Sequence, residues 1–116
     1  MITLYGIPNC DTVKKARKWL ETHGVAYRFH DFRKDGLEEA TLRRWCAELG
    51  WERLLNRSGT TWRRLPEGDR ADLDEAKAIR LMLANPAVIK RPVLDLGHER
   101  HVGFKEPDYA RIFSGN

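Results

Sequence analysis

The 116-residue chain has little cysteine, no long apolar run and no biased tail. Two cysteines, Cys10 and Cys46, are too few for a disulfide framework or a cysteine-built zinc cluster. In a reducing compartment both are expected as free thiols. No stretch approaches the roughly 20 apolar residues that span a bilayer. The opening "MITLYGIPNC" has neither the basic nor the long apolar region of a signal peptide, so a cytoplasmic location with no membrane partner is expected. Lysine and arginine (21) only modestly outnumber aspartate and glutamate (17), a net charge of +4. These charges are dispersed, without a basic tail or an RNA-binding signature, so a nucleic-acid partner is not expected. The excess favours small anionic ligands.

What is present is a balanced globular composition, 41% hydrophobic and 33% charged, enough for one packed domain over 1–116. "ITLY" reads as a short strand ended by the turn residues "GIPN". From Asp11 to His23 the spacing becomes helical: Val13, Ala16 and Leu20 share a face, and Gly24 is the stop. "VAYRFHDF" alternates like a strand, Val25 to Phe32. Strand, helix, strand is a βαβ unit with parallel strands.

A second helix is expected over Glu38–Leu49, with Leu42, Trp45, Cys46 and Leu49 on one stripe, and a short one over Trp51–Asn56. Arg57–Asp69 is polar and carries no clear pattern. Another helix is expected from Asp72, with Asp72 and Glu75 as a capping box and Leu73, Ala76, Ile79 and Leu83 facing inward until Asn85-Pro86. "KRPVLDL" and "HVGF" form an antiparallel hairpin, and "EPDYARIF" a last helix with Pro107 in its first turn. The order βαβ, helices, ββα is that of an α/β thioredoxin or glutaredoxin core with a helical insertion over about 36–85.

Chemistry concentrates at Cys10, at the start of the first helix. Unpaired amides and the helix dipole favour a thiolate there. An ordinary thiol is only about 3% ionised at pH 7, and a dipole contribution of ~1–2 kcal/mol lowers its pKa by about one unit. The same position also suits a small residue that merely fills a turn. Val13 stands where a C-x-x-C motif has its second cysteine, so any redox chemistry needs a monothiol route. Cys46 is a candidate resolver, but its place on an apolar stripe fits a core residue, and an outside thiol such as glutathione suits the task better. Pro92 opens the third strand, where a thioredoxin-like core carries a cis-proline beside its cysteine; Arg91 would then approach Cys10 and offer its planar fork to an anion. His23, His30, His98 and His101 form no metal set or Cys–His pair in the sequence.

"LYGIPNCDTVKKARKWL", "YRFHDFRKDGL", "LLNRSGTTWR", "KRPVL" and "VGFKEPDY", in this order and over nearly the whole chain, resemble the arsenate reductase (ArsC)-like family. The likeness is nearest its YffB-type branch, which neighbours the Spx regulators. The resemblance implies a thioredoxin-like fold with a helical insertion and one redox cysteine, here Cys10. In arsenate reductases of this type, the cysteine attacks arsenate and three basic side chains hold the oxyanion. Matched motif by motif, these fall on Arg57 in "LLNR", Arg91 in "KRP" and Lys105 in "GFKEP". Lys105 departs from the pattern, because lysine lacks arginine's bidentate grip. The YffB-type branch implies a glutathione-dependent thiol reductase, with Cys10 as nucleophile, no tightly bound cofactor and glutathione as co-substrate. In that reading Asn9, Arg57, Arg91, Pro92 and Lys105 bind substrate or glutathione. The alternatives are an arsenate reductase coupled to glutathione and glutaredoxin, and a regulatory binding protein like Spx.

Overall fold

The computed structural model describes residues 1–114. The chain divides into two compact units, Met1–Asp31 with the chain from Arg91 onward, and Phe32–Lys90. The first unit is built on a four-stranded mixed sheet of order β2-β1-β3-β4. Its strands are β1 (Thr3–Gly6), β2 (Arg28–Asp31), β3 (Val93–Asp95) and β4 (Arg100–Val102). β1 runs parallel to β2 and antiparallel to β3, and β3 and β4 form the expected hairpin. With helices α1 (Asp11–Thr22) and α7 (Glu106–Ile112), this is the βαβ–ββα arrangement of a thioredoxin-like fold.

α1 buries Val13, Ala16, Trp19 and Leu20, the stripe its spacing dictates. Its end is a Schellman turn: Gly24, at φ +68°, donates to the Glu21 carbonyl (3.2 Å), and Val25 donates to Leu20 (2.9 Å). That turn explains why β2 is shorter than the alternating run Val25–Phe32. The Val25 amide is spent on closing the helix, and the ladder with β1 covers only Arg28–Asp31. Leu4, Ala16, Trp19, Leu20, Leu94 and Tyr109 form the unit's core, with Tyr109 edge-on to both Trp19 and Phe104.

β3 is likewise shorter than "KRPVLDL". Lys90 gives its amide to the Leu54 carbonyl (2.7 Å), and Pro92 has no N–H to give, so sheet pairing starts at Val93. Across the hairpin, Asp95 stands opposite Arg100 and the two form a partly buried ion pair at 3.4 Å.

The second unit is helical: α2 (Glu39–Leu49), α3 (Trp51–Leu54), α4 (Thr60–Arg64), α5 (Glu67–Arg70) and α6 (Glu75–Ala84), followed by a 3₁₀ turn at Pro86–Val88. It begins and ends a few residues outside the expected 36–85. The polar stretch Arg57–Asp69 holds α4 and the start of α5, and α4 is pinned by the buried Trp62. Leu42, Trp45 and Cys46 are buried as their spacing requires, whereas Leu49 is only half-buried.

The start of α6 corrects the sequence reading. Asp74, not Asp72, is the cap, accepting the Lys77 amide at 2.8 Å, while Asp72 sits in the left-handed region at φ +51°. The inner face is Ala78, Ile79, Leu81 and Met82, which shares only Ile79 with the expected stripe; Ala76 is exposed, and Leu73 and Leu83 are half-buried. Among the described residues no helix is long and apolar enough to cross a membrane.

Candidate active site

β1 ends at Gly6, and Ile7, Pro8 and Asn9 turn the chain into α1. Cys10 is the N-cap of that helix, extended at φ −128°, ψ 125°, and its carbonyl accepts the first helical bond, from Lys14 at 2.9 Å. A residue in this position has its side chain over the unsatisfied amides of the first turn. The sulfur closes no full cap hydrogen bond, but the amides of Val13 and Thr12 act on it and favour its charged form. The thiol is partly exposed and open to a reactant from solvent.

The register of the sheet delivers the second component. Tyr5 pairs with Val93, so one step further along the two antiparallel strands brings Pro92 and Arg91 to the end of β1 from which the Cys10 turn departs. The Arg91–Pro92 peptide is cis. Pro92 is buried, and its carbonyl accepts the Gly103 amide at 2.8 Å. Arg91 acts on the Cys10 sulfur both as a hydrogen-bond donor and as a charge. Burial by itself pushes the Cys10 thiol up; the Val13 amide, the Arg91 guanidinium and the Thr12 amide outweigh it and hold the thiol below its ordinary value.

The remaining expected residues are arranged differently. Asn9 is exposed in the turn. Lys105 is exposed at the N-cap of α7, where its backbone carbonyl accepts the Asp108 and Tyr109 amides; the basic residue that acts on the sulfur is Arg91. Arg57 belongs to the helical unit, where its guanidinium lies 5.9 Å from the Trp51 ring centroid. Cys46 belongs to that unit too and is 3% exposed. Burial, with the Glu75 charge adding to it and Arg43 opposing, pushes its thiol up to about 11, which disfavours the thiolate.

The sequence places Val13 on the inner face of α1 and in the position of a missing second cysteine; in the structure its amide also supports the sulfur. The signal was its place three residues after the cap, where a capping side chain meets a backbone N–H. Among the described residues no histidine, cysteine or carboxylate cluster could hold a metal. A recess of about 300 Å³ in the same unit is lined by α1 residues from Lys15 to Thr22, with His23, Phe104 and Glu106, and does not include Cys10. The Cys10 sulfur lies outside that recess, partly exposed where the turn after β1 enters α1.

A sequence model of the ArsC family matches residues 5–112. The solved structure of the YffB (PA3664) protein is 60% identical, with a TM-score of 0.92, over 96% of this chain and 97% of that one. The solution structure of an arsenate reductase (ArsC) related protein from Brucella melitensis is 54% identical, with a TM-score of 0.79, over 97% of this chain and 93% of that one. An uncharacterized protein of Haemophilus influenzae is 43% identical over 114 residues, 98% of this chain and all of that protein. The global transcriptional regulator Spx of Streptococcus mutans is 29% identical over 115 residues, 97% of this chain and 82% of the regulator.

Proposed function

Since the chain belongs to the ArsC family, we propose that it is a glutathione-dependent thiol/disulfide reductase that works through Cys10 alone. The observation that carries this reading is the convergence of Arg91 and the first-turn amides on one partly exposed sulfur. Each favours the thiolate, and the thiolate is the nucleophile of disulfide exchange.

The reaction takes two exchanges. The Cys10 thiolate attacks the glutathionyl sulfur of a mixed disulfide, forming a Cys10–glutathione disulfide and expelling the substrate as a thiolate, which takes a proton from water. The thiolate of a second glutathione then attacks the sulfur of the bound glutathione. Oxidised glutathione leaves, and Cys10 returns as the thiolate. The substrate sulfur is reduced, two glutathione units end as one disulfide, and the protein is unchanged. Val13 in place of a second cysteine leaves no local thiol to intercept the intermediate. Cys46, buried with a raised pKa, is a poor substitute for glutathione. In this reading Arg91 stabilises the leaving and returning Cys10 thiolate, Asn9 and Lys105 meet polar and anionic groups of glutathione, and Pro92 shapes the wall beside the sulfur. The family resemblance adds Arg57 as a further anion-binding residue.

The second reading is arsenate reduction, favoured by the 54% identity to the Brucella melitensis protein described as arsenate reductase related. Cys10 would displace an oxygen of arsenate, and glutathione with glutaredoxin would supply the two electrons. An Spx-like regulatory role rests on 29% identity to the streptococcal regulator; here Val13 rules out a C-x-x-C switch at Cys10. Turnover of a glutathionylated substrate, with arsenate in a parallel series supplied with glutathione and glutaredoxin, separates the first two. The reductase reading expects glutathione-dependent release of substrate thiol that Cys10→Ser abolishes. Turnover of arsenate alone would replace it with the second reading.

A further inference from the structure

Gly6 is the last residue of β1, buried, and four positions before Cys10. A Cβ built on it would lie 2.8 Å from Cγ2 of Val13, 3.4 Å from Cγ1 and 3.7 Å from Cβ. The first distance is too short for two carbon atoms. Val13 has no room to withdraw: it is fully buried, and a β-branched side chain in a helix has essentially one χ1 rotamer. The relief must therefore come from the backbone, by opening the seam between the end of β1 and the first turn of α1. That turn carries the Thr12 and Val13 amides that face Cys10.

From this chain of contacts we infer that Gly6 is a positioning residue for the nucleophile: its missing side chain lets Val13 seat against the end of β1, and that seat sets where the first turn of α1 presents its N–H groups to the Cys10 sulfur. Val13 thus has two roles, a steric one through its methyls and an electrostatic one through its amide. The inference rests on the reading of Cys10 as a thiolate nucleophile. It goes beyond that reading by assigning the tuning of the sulfur to a residue on the opposite side of the helix turn.

The test is a set of pH profiles of Cys10 alkylation by iodoacetamide in a Cys46→Ala background, for the parent, Gly6→Ala, Val13→Ala and the double variant, each checked for cooperative thermal unfolding. Gly6→Ala is expected to raise the apparent thiol pKa by at least about half a unit, a roughly threefold loss of thiolate at pH below both values. In the double variant the two crowding methyls are gone and the new methyl meets the Cβ of residue 13 at 3.7 Å, with no closer neighbour, an ordinary contact. Its profile is therefore expected to return to that of Val13→Ala. A folded Gly6→Ala with the parental profile would overturn the inference. If Gly6→Ala does not fold, a folded double variant with the Val13→Ala profile supports the steric link, and a double variant that is unfolded or still shifted refutes it. A parental profile with an ordinary thiol pKa would instead remove the thiolate reading, while rescue of the unfolding temperature in the double variant would still report the contact between positions 6 and 13.

Discussion

Replacing Arg91 by alanine removes the one side chain that both donates to the Cys10 sulfur and adds a positive charge beside it. A hydrogen bond to a charged group contributes about 1.5–3 kcal/mol when well shielded. Cys10 is partly exposed, so solvent screening reduces this to about 1–1.5 kcal/mol, or roughly one pKa unit. The variant is expected to alkylate with an apparent pKa about one unit higher. The rate does not simply scale with thiolate. At a pH below both pKa values the thiolate fraction falls about tenfold, but a more basic sulfur is intrinsically more nucleophilic by about threefold, leaving a net loss of about threefold. Above both pKa values the order reverses, and Arg91→Ala should alkylate faster than the parent. Arg91→Lys keeps the charge without the planar fork and should fall between them. The assay is the iodoacetamide rate from pH 4 to 10, and the crossing of the curves is the signature. Superimposable profiles would refute the assignment of Arg91 to the sulfur. A uniform vertical offset without a shift along the pH axis would show that Arg91 affects access to the thiol and leaves its charge state alone.

The two cysteines should also leave opposite marks on stability. Cys46 has a folded pKa raised to about 11, so its stabilising contribution is complete below the unfolded thiol value of about 8.5 and is lost as pH rises toward 11; Cys46→Ala should flatten denaturant midpoints over that window. Cys10 has a lowered folded pKa, so its contribution is present above the unfolded value and is lost as pH falls through the folded one; Cys10→Ser should remove stability on the alkaline side. Asp74→Ala should cost about 1 kcal/mol by urea unfolding through loss of the α6 cap, whereas Asp72→Asn, which tolerates the left-handed backbone, should cost little. Lys105→Ala and Arg57→Ala should raise KM for a glutathionylated substrate while leaving the Cys10 alkylation profile where it is; a shifted profile in either would show that the residue also tunes the thiol.

Much of this arrangement is written locally in the chain. α1 is legible because Val13, Ala16 and Leu20 repeat at helical spacing and Gly24 has the one backbone that closes a Schellman turn. Cys10 is legible as a candidate because a strand, a turn and a helix follow one another within ten residues. Arg91 is not legible locally. It meets Cys10 only because β3 returns antiparallel beside β1, so its assignment depended on the order of strands across the whole chain. The errors have equally local causes. Asp72 and Asp74 are both good caps by type, and the backbone at Asp72 decides between them. The strands β2 and β3 are shortened because Val25 and Lys90 spend their amides elsewhere and Pro92 has none. Gly6 escapes a sequence reading altogether, since its role is the absence of atoms at a distance of 2.8 Å from a residue seven positions away.

The central claim is that Cys10 is a monothiol that accepts glutathione and is released by it. Intact-protein mass spectrometry after exposure to oxidised glutathione near pH 7, followed by peptide mapping, tests it most directly. The account predicts a single glutathione on Cys10, none on Cys46, and loss of the adduct when excess reduced glutathione is added. An unmodified Cys10, or an adduct carried by Cys46, would contradict it.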